Sequence, residues 1–210
     1  MKNTVLVPLI EGGENVERAL EMKGARFDVC QVNWPGAFPY APLCAGRIAR
    51  TKDALVVSWR VSGLGLTIKN TADDGNIWED SCCEVFVKDP GAEDYYNIEV
   101  NAAGFLLVGK GPDRNNRVRL PLEAISRIKR IGGCKAPVDN ADDLHNWSMT
   151  VVIPFDLIGL DPNNLPGELK GNFYKCGDKT AHPHFLSWAP VQTPGPDFHR
   201  PEFFGTLLLV

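Results

Sequence analysis

A chain of 210 residues that is 44% hydrophobic can bury one full core, and it lies in the size range where all-β folds stay single domains. Its net charge of −4 argues against nucleic acid or an anionic membrane as the main partner. No run of about 18 apolar residues is present, so no membrane-spanning helix is expected.

In chain order, Met1–Ile10 holds one lysine and an apolar patch broken by Pro8, a poor secretory signal, so a cytoplasmic location is expected. Residues 14–24 predict a short helix stopped by Gly24. Phe27-Asp-Val-Cys-Gln-Val32 alternates like a strand, and Trp34–Pro42 is a proline-rich connection. Strands are then expected at 46–51, 54–61, 82–88, 95–102, 105–109, 147–153, 171–176 and 206–209. A helical or irregular piece is expected at 121–131, and a helical turn at 154–159. Short strands separated by Gly, Pro, Asn and Asp predict an all-β fold: an antiparallel two-sheet β-sandwich with one or two short helices. The six cysteines are too sparse for a secreted disulfide framework. Adjacent Cys82 and Cys83 point to opposite faces of any strand that holds them, so they do not pair with each other.

Strand parity divides the central hairpin. Trp78, Asp80, Cys82, Glu84 and Phe86 share one side, and Cys83, Val85 and Val87 the other. In the next strand Tyr95, Asn97, Glu99 and Asn101 lie opposite Tyr96, Ile98, Val100 and Ala102. One face is apolar and core-directed. The other carries carboxylates, amides and aromatics without lysine or arginine, which suits a ligand better than bulk solvent. Further on, 171–178, 183–190 and 197–205 crowd aromatics and histidines between turn residues. Trp78 and Trp188, on loops flanking a β-rich body, fit a sugar, whose C–H faces stack on rings while its hydroxyls need polar partners. Trp34, Trp59 and Trp147 read as core.

The order Trp78-x-Asp-Ser-x-x-Glu84-Val-Phe86, Tyr95-Tyr-Asn-Ile-Glu-Val-Asn101-x-x-Gly104, Trp147-x5-Ile153-Pro-Phe155, Gly171-Asn-Phe-Tyr-Lys175, Ser187-Trp-Ala-Pro190 and Phe198-His-Arg-Pro-Glu-x-Phe-Gly205 resembles carbohydrate-binding module family 9 over residues 46–210. The resemblance implies a β-sandwich that binds gluco- or xylo-type mono- and oligosaccharides between two tryptophans without hydrolysing them, as part of polysaccharide catabolism. Carried over by position, it implies Trp78 and Trp188 as the stacking pair and Glu84 as a hydroxyl acceptor. Glu99, Asn101, Asn172 and Lys175 complete the expected ligand-binding set. Glu99 stands where the family pattern leads one to expect an arginine. The expected organisation is a single domain over 1–210, with 1–45 as an N-terminal extension packed on it.

Two other chemistries compete for the same residues. Glu84 and Glu99 on paired strands would suit a glycan-active hydrolase, although no nucleophile elbow, phosphate loop or HExxH sequence is present. Cys176, His182, His184 and His199 form a metal-type cluster whose spacing fits no standard structural site. Asp73, Asp74, Asp80 and Asp89 are candidates for a structural calcium, though without EF-hand order. No other cofactor is expected. The expected partner is a small sugar or oligosaccharide, with neither nucleic acid nor membrane.

Overall fold

The structure, a computed structural model, describes residues 3–134 and 141–210. Fourteen strands are present among them: β1 (Thr4–Val7), β2 (Ala25–Asp28), β3 (Gln31–Val32), β4 (Leu43–Arg50), β5 (Ala54–Leu64), β6 (Cys82–Lys88), β7 (Tyr95–Asn101), β8 (Leu106–Gly111), β9 (Val118–Arg119), β10 (Lys129–Gly132), β11 (Leu144–Pro154), β12 (Glu168–Cys176), β13 (Phe185–Ser187) and β14 (Gly205–Leu209). Helix α1 spans Val16–Lys23 and α2 spans Leu122–Ile125.

The strands form two sheets. One has nine strands in the order β1-β14-β12-β6-β7-β8-β9, with β13 pairing β12 and β3; the other has five, ordered β10-β11-β5-β4-β2. The second sheet is built around β11 and β5, antiparallel over eleven residues each, from Leu144↔Leu64 to Pro154↔Ala54. This is the expected all-β, two-sheet sandwich.

The expected parity holds on β6 and β7. Cys83, Val85, Val87, Ile98 and Val100 turn inward and join the main core with Trp59, Trp147 and Val151 of the facing sheet. Phe27 of the five-stranded sheet stacks on Phe173 of the nine-stranded one, ring centroids 3.8 Å apart. Gly46 leaves the space that the Phe27 ring fills. Helix α1 lays Val16 and Leu20 on Ala49 and Val56, covering the outer face of the five-stranded sheet. Gly24 follows this helix as expected, its N–H bonding to Leu20 O at 2.8 Å.

Within the expected N-terminal extension, residues 3–45 contribute strands to both sheets. Strand β1 runs parallel to β14 inside the nine-stranded sheet, and β2 pairs with β4 in the other. Four-residue strands carry too little alternation to read from sequence, and their pairing is supplied by partners far along the chain. The predicted strand at 27–32 divides into β2 and β3 on different sheets, and β10 begins where a helical or irregular piece was expected.

Candidate functional site

The outer face of the nine-stranded sheet is covered by loops, which pack a second apolar cluster around Trp34, Phe86, Tyr95, Tyr174, Phe198 and Phe204. Strand register arranges the side chains below in rows. Cys176, Cys82 and Asn101 form one; Tyr174, Glu84, Glu99 and Leu107 form the next. Above them lies a cleft of about 260 Å³, whose lining includes Trp78, Glu84, Glu99, Arg117, Phe185 and Phe198.

Trp78 sits in a 3-10 turn, Ile77–Glu79, that is pinned from both sides. Ile77 is buried beneath it, and Asp80 accepts from the backbone N–H groups of Lys69 and Asn70 and from Asn101 Nδ2. The indole stays partly exposed, with the Arg119 guanidinium 5.9 Å from its ring centroid.

The cationic side of the cleft comes from the loop between β8 and β9. Asp113 Oδ1 accepts from the N–H groups of Asn115 and Asn116 at 2.7 and 2.9 Å, a side-chain-capped turn. Gly111 lets this loop fold back over the sheet, since any Cβ there would collide with the Asn116 carbonyl. Arg117 Nη1 then lies 3.8 Å from Glu99 Oε1 and donates to His199 Nε2 at 3.1 Å. An arginine only donates, so the His199 proton resides on Nδ1, 2.7 Å from the Tyr95 hydroxyl. Burial, then Arg117 and Arg114, push His199 down to about 2, so it is neutral.

The two glutamates are both nearly sealed. Burial raises Glu84 to about 7, against the lowering effect of a Cys176 thiol that donates to its Oε1 at 2.9 Å. Burial and then the neighbouring Glu84 charge hold Glu99 well above the ordinary carboxylate range. Asn97 Nδ2 donates to Glu99 Oε1 at 2.9 Å, yet Glu99 Oε2 has no hydrogen-bond partner among the described residues. Asp178, at the rim, is raised to about 6 by burial. The site thus combines aromatic surface, guanidinium donors and carboxyls that burial makes harder to ionise.

Three of the seven expected site residues meet in this cleft: Trp78, Glu84 and Glu99. Trp188 does not. It is 8% exposed and belongs to the core between the sheets, edge-on to Phe173 at 5.4 Å, because it follows β13 on the inward side. Lys175 also points inward, opposite Cys83 in the β12–β6 register, with Nζ on His184 Nε2 at 2.7 Å. Asn101 and Asn172 lie on the outer face but serve the scaffold. Asn101 ties Asp80 to the loop after β7, and Asn172 holds both backbone groups of Ala189. In place of Trp188, Phe185 and Phe198 supply the further rings.

The expected metal cluster is dispersed. His184 contacts Lys175, His182 reaches Ala141 O at 3.1 Å, His199 contacts Tyr95, and Cys176 lies beside Glu84. Asp73 and Asp74 bind Arg130 and Arg119, and Asp89 caps Gly91. Arg114 and Arg117, the cleft's cations, were not anticipated. The Gly111-Pro-Asp113 turn signal after β8 marks their loop, but nothing local indicates the direction of its return. A larger hollow of about 840 Å³ lies beside β4 and β11, but among the described residues its only aromatic ring, Trp147, is itself buried.

The family model for carbohydrate-binding family 9 matches residues 14–209. A candidate carbohydrate-binding protein of Bacteroides uniformis is similar over the whole of both chains, at 32% identity and TM-score 0.89. A family 9 module of Caldicellulosiruptor kristjanssonii solved with glucose is similar at 12% identity and TM-score 0.61, over 99% of this chain and 96% of that one. The same organism's family 9 module solved with cellotriose gives 12% and 0.58, covering 99% and 93%. A search of curated proteins finds no match. With the family model covering nearly the full length and the sandwich shared throughout, the chain belongs to carbohydrate-binding family 9.

Proposed function

We propose that this protein binds gluco- or xylo-configured mono- or oligosaccharides, without turning them over, in the outer-face cleft. One pyranose face rests on the Trp78 indole, and hydroxyls meet Glu99, Glu84 and Arg117. Glu99 Oε2 carries this reading: it is buried, without a partner among the described residues, and belongs to a side chain lining an aromatic cleft. An unpartnered buried carboxyl oxygen costs about 1–3 kcal/mol, which a hydrogen bond with a sugar hydroxyl would recover. The family 9 neighbours solved with glucose and cellotriose support the ligand class. An arginine was expected in the strand at Glu99; Arg117 reaches Glu99 from the neighbouring loop instead, at 3.8 Å, which supports a hydroxyl-binding role for the pair.

Calorimetric titration with glucose, cellobiose, cellotriose and xylobiose tests the proposal. At least one should bind, and Glu99→Gln should weaken it about tenfold, or about 1.4 kcal/mol. Absence of binding across the panel would overturn it. Release of reducing sugar that disappears in Glu99→Gln would instead establish hydrolysis by the Glu84–Glu99 pair.

A further inference from the structure

Beneath the cleft, three ligand atoms of a different kind converge. Cys82 and Cys176 are direct partners across the β6–β12 register, and Glu84 lies two residues along β6 on the same face. The two sulfurs and a Glu84 carboxylate oxygen lie within 4.8 Å of one another, and all three residues are buried. Glu84 and Cys176 also line the cleft, so this cluster communicates with solvent through it. The geometry points to a zinc-class cation site built from Cys82 Sγ, Cys176 Sγ and the Glu84 carboxylate, with its fourth position open to the cleft.

Donor chemistry selects the class. Two thiolates and one carboxylate suit Zn²⁺ or Co²⁺ and suit calcium or magnesium poorly. Tetrahedral bonds of about 2.3 Å to sulfur need the two sulfurs roughly 3.8 Å apart, which only small side-chain adjustment separates from the observed cluster. A second observation lies beside it. Glu99, the direct register partner of Glu84, has the unpartnered Oε2, a hydrogen-bonding partner for a water or sugar hydroxyl held in the open position. The cation would also offset the carboxylates of Glu84, Glu99 and Asp178, which Arg114 and Arg117 answer only in part. Without a cation, the Cys176 thiol donates its proton to Glu84 Oε1. Binding displaces the thiol protons of Cys176 and Cys82 together with any proton Glu84 holds below about 7, so two to three protons leave for one dication and affinity rises with pH. A cation seated there does not depend on sugar binding.

The test uses the full chain, reduced and stripped with chelator, titrated with Co²⁺ and separately with Zn²⁺. One equivalent should bind, and cobalt should give thiolate-to-metal charge-transfer absorption. X-ray absorption of the zinc-loaded wild type should show two sulfurs among the ligands. Cys82→Ser and Cys176→Ser should each weaken binding at least tenfold while circular dichroism confirms the fold, and the exposed Cys30→Ser should bind as wild type. Zinc ligated by no sulfur, or a cobalt–thiolate band surviving both substitutions, would overturn the proposal, and so would a failure of the wild type to bind either ion. The wild-type spectra decide the matter even where a serine variant fails to fold. A parallel glucose and cellotriose titration in chelator separates the two readings. Sugar bound without any metal site sinks this inference alone, and metal bound without any sugar sinks only the sugar reading.

Discussion

The two faces of the nine-stranded sheet draw on alternate residues of the same strands, yet they are different environments. Inward, Cys83, Val85, Ile98, Val100 and Phe173 meet the second sheet in an apolar core. Outward, Cys82, Glu84, Glu99 and Cys176 sit just as deep, but under loops rather than under a sheet. A facing sheet is flat and can exclude water along its whole length, so it favours aliphatic surface. Loops cover unevenly and leave a cleft, and the polar groups there stay buried while remaining reachable. Burial alone therefore does not separate core from site; what covers the residue does.

The largest effect should come from the inner face. Trp188→Ala should destabilise the fold by about 3–5 kcal/mol, as should Trp59→Ala, while the folded fraction keeps its sugar affinity. Equal thermal melting of Trp188→Ala and wild type would place that indole outside the core and break the comparison. The pH dependence comes next. In chelator-treated protein, Glu84 keeps its proton in the folded state up to about 7, whereas in the unfolded chain it ionises near 4.5. The folded state therefore binds more protons in this window, and stability falls as pH rises through it. The groups facing Glu84 are Glu99, Asp178, Cys176, Arg114 and Arg117, and Glu99 contributes a slope of the same sign. Glu84→Gln should lessen the slope by about 2–3 kcal/mol over the window, as chemical denaturation at several pH values would show. An unchanged slope would mean that solvent reaches the carboxyl freely.

The outer aromatic should affect binding instead. Trp78→Ala should cost about tenfold in sugar affinity, near 1.4 kcal/mol, with little change in melting temperature, because the indole is only partly buried. A melting loss matching that of Trp188→Ala would make it scaffold. The smallest effect belongs to charges on neither face. Arg127 and Asp156 approach to 2.6 Å with both side chains about half exposed, and Arg127→Ala should cost about 0–1 kcal/mol with binding unchanged.

Much of this was legible because strand side chains alternate with a period of two. Seven residues of alternation fixed β6 as Cys82–Lys88, and Glu84 and Glu99 fell on the polar face together. Composition alone separated Trp59 and Trp147, set among Val and Met, from Trp78 among turn residues. Trp188 resisted the same logic. It too lies in turn-rich sequence, but its N–H bonds Phe173 O of β12 while Asn172 holds the neighbouring Ala189 backbone, and the ring turns inward.

By itself, then, the sequence determined the strand periodicity, the two-sheet class and the side of the central hairpin on which the carboxyls lie, since each depends on residues only a few positions apart. Tertiary structure decided the rest. It joined β1 to β14 across the length of the chain, brought Arg117 over Glu99 and set Cys176 beside Cys82 and Glu84. Those juxtapositions depend on where loops return, which contacts distant in sequence select and local composition does not encode.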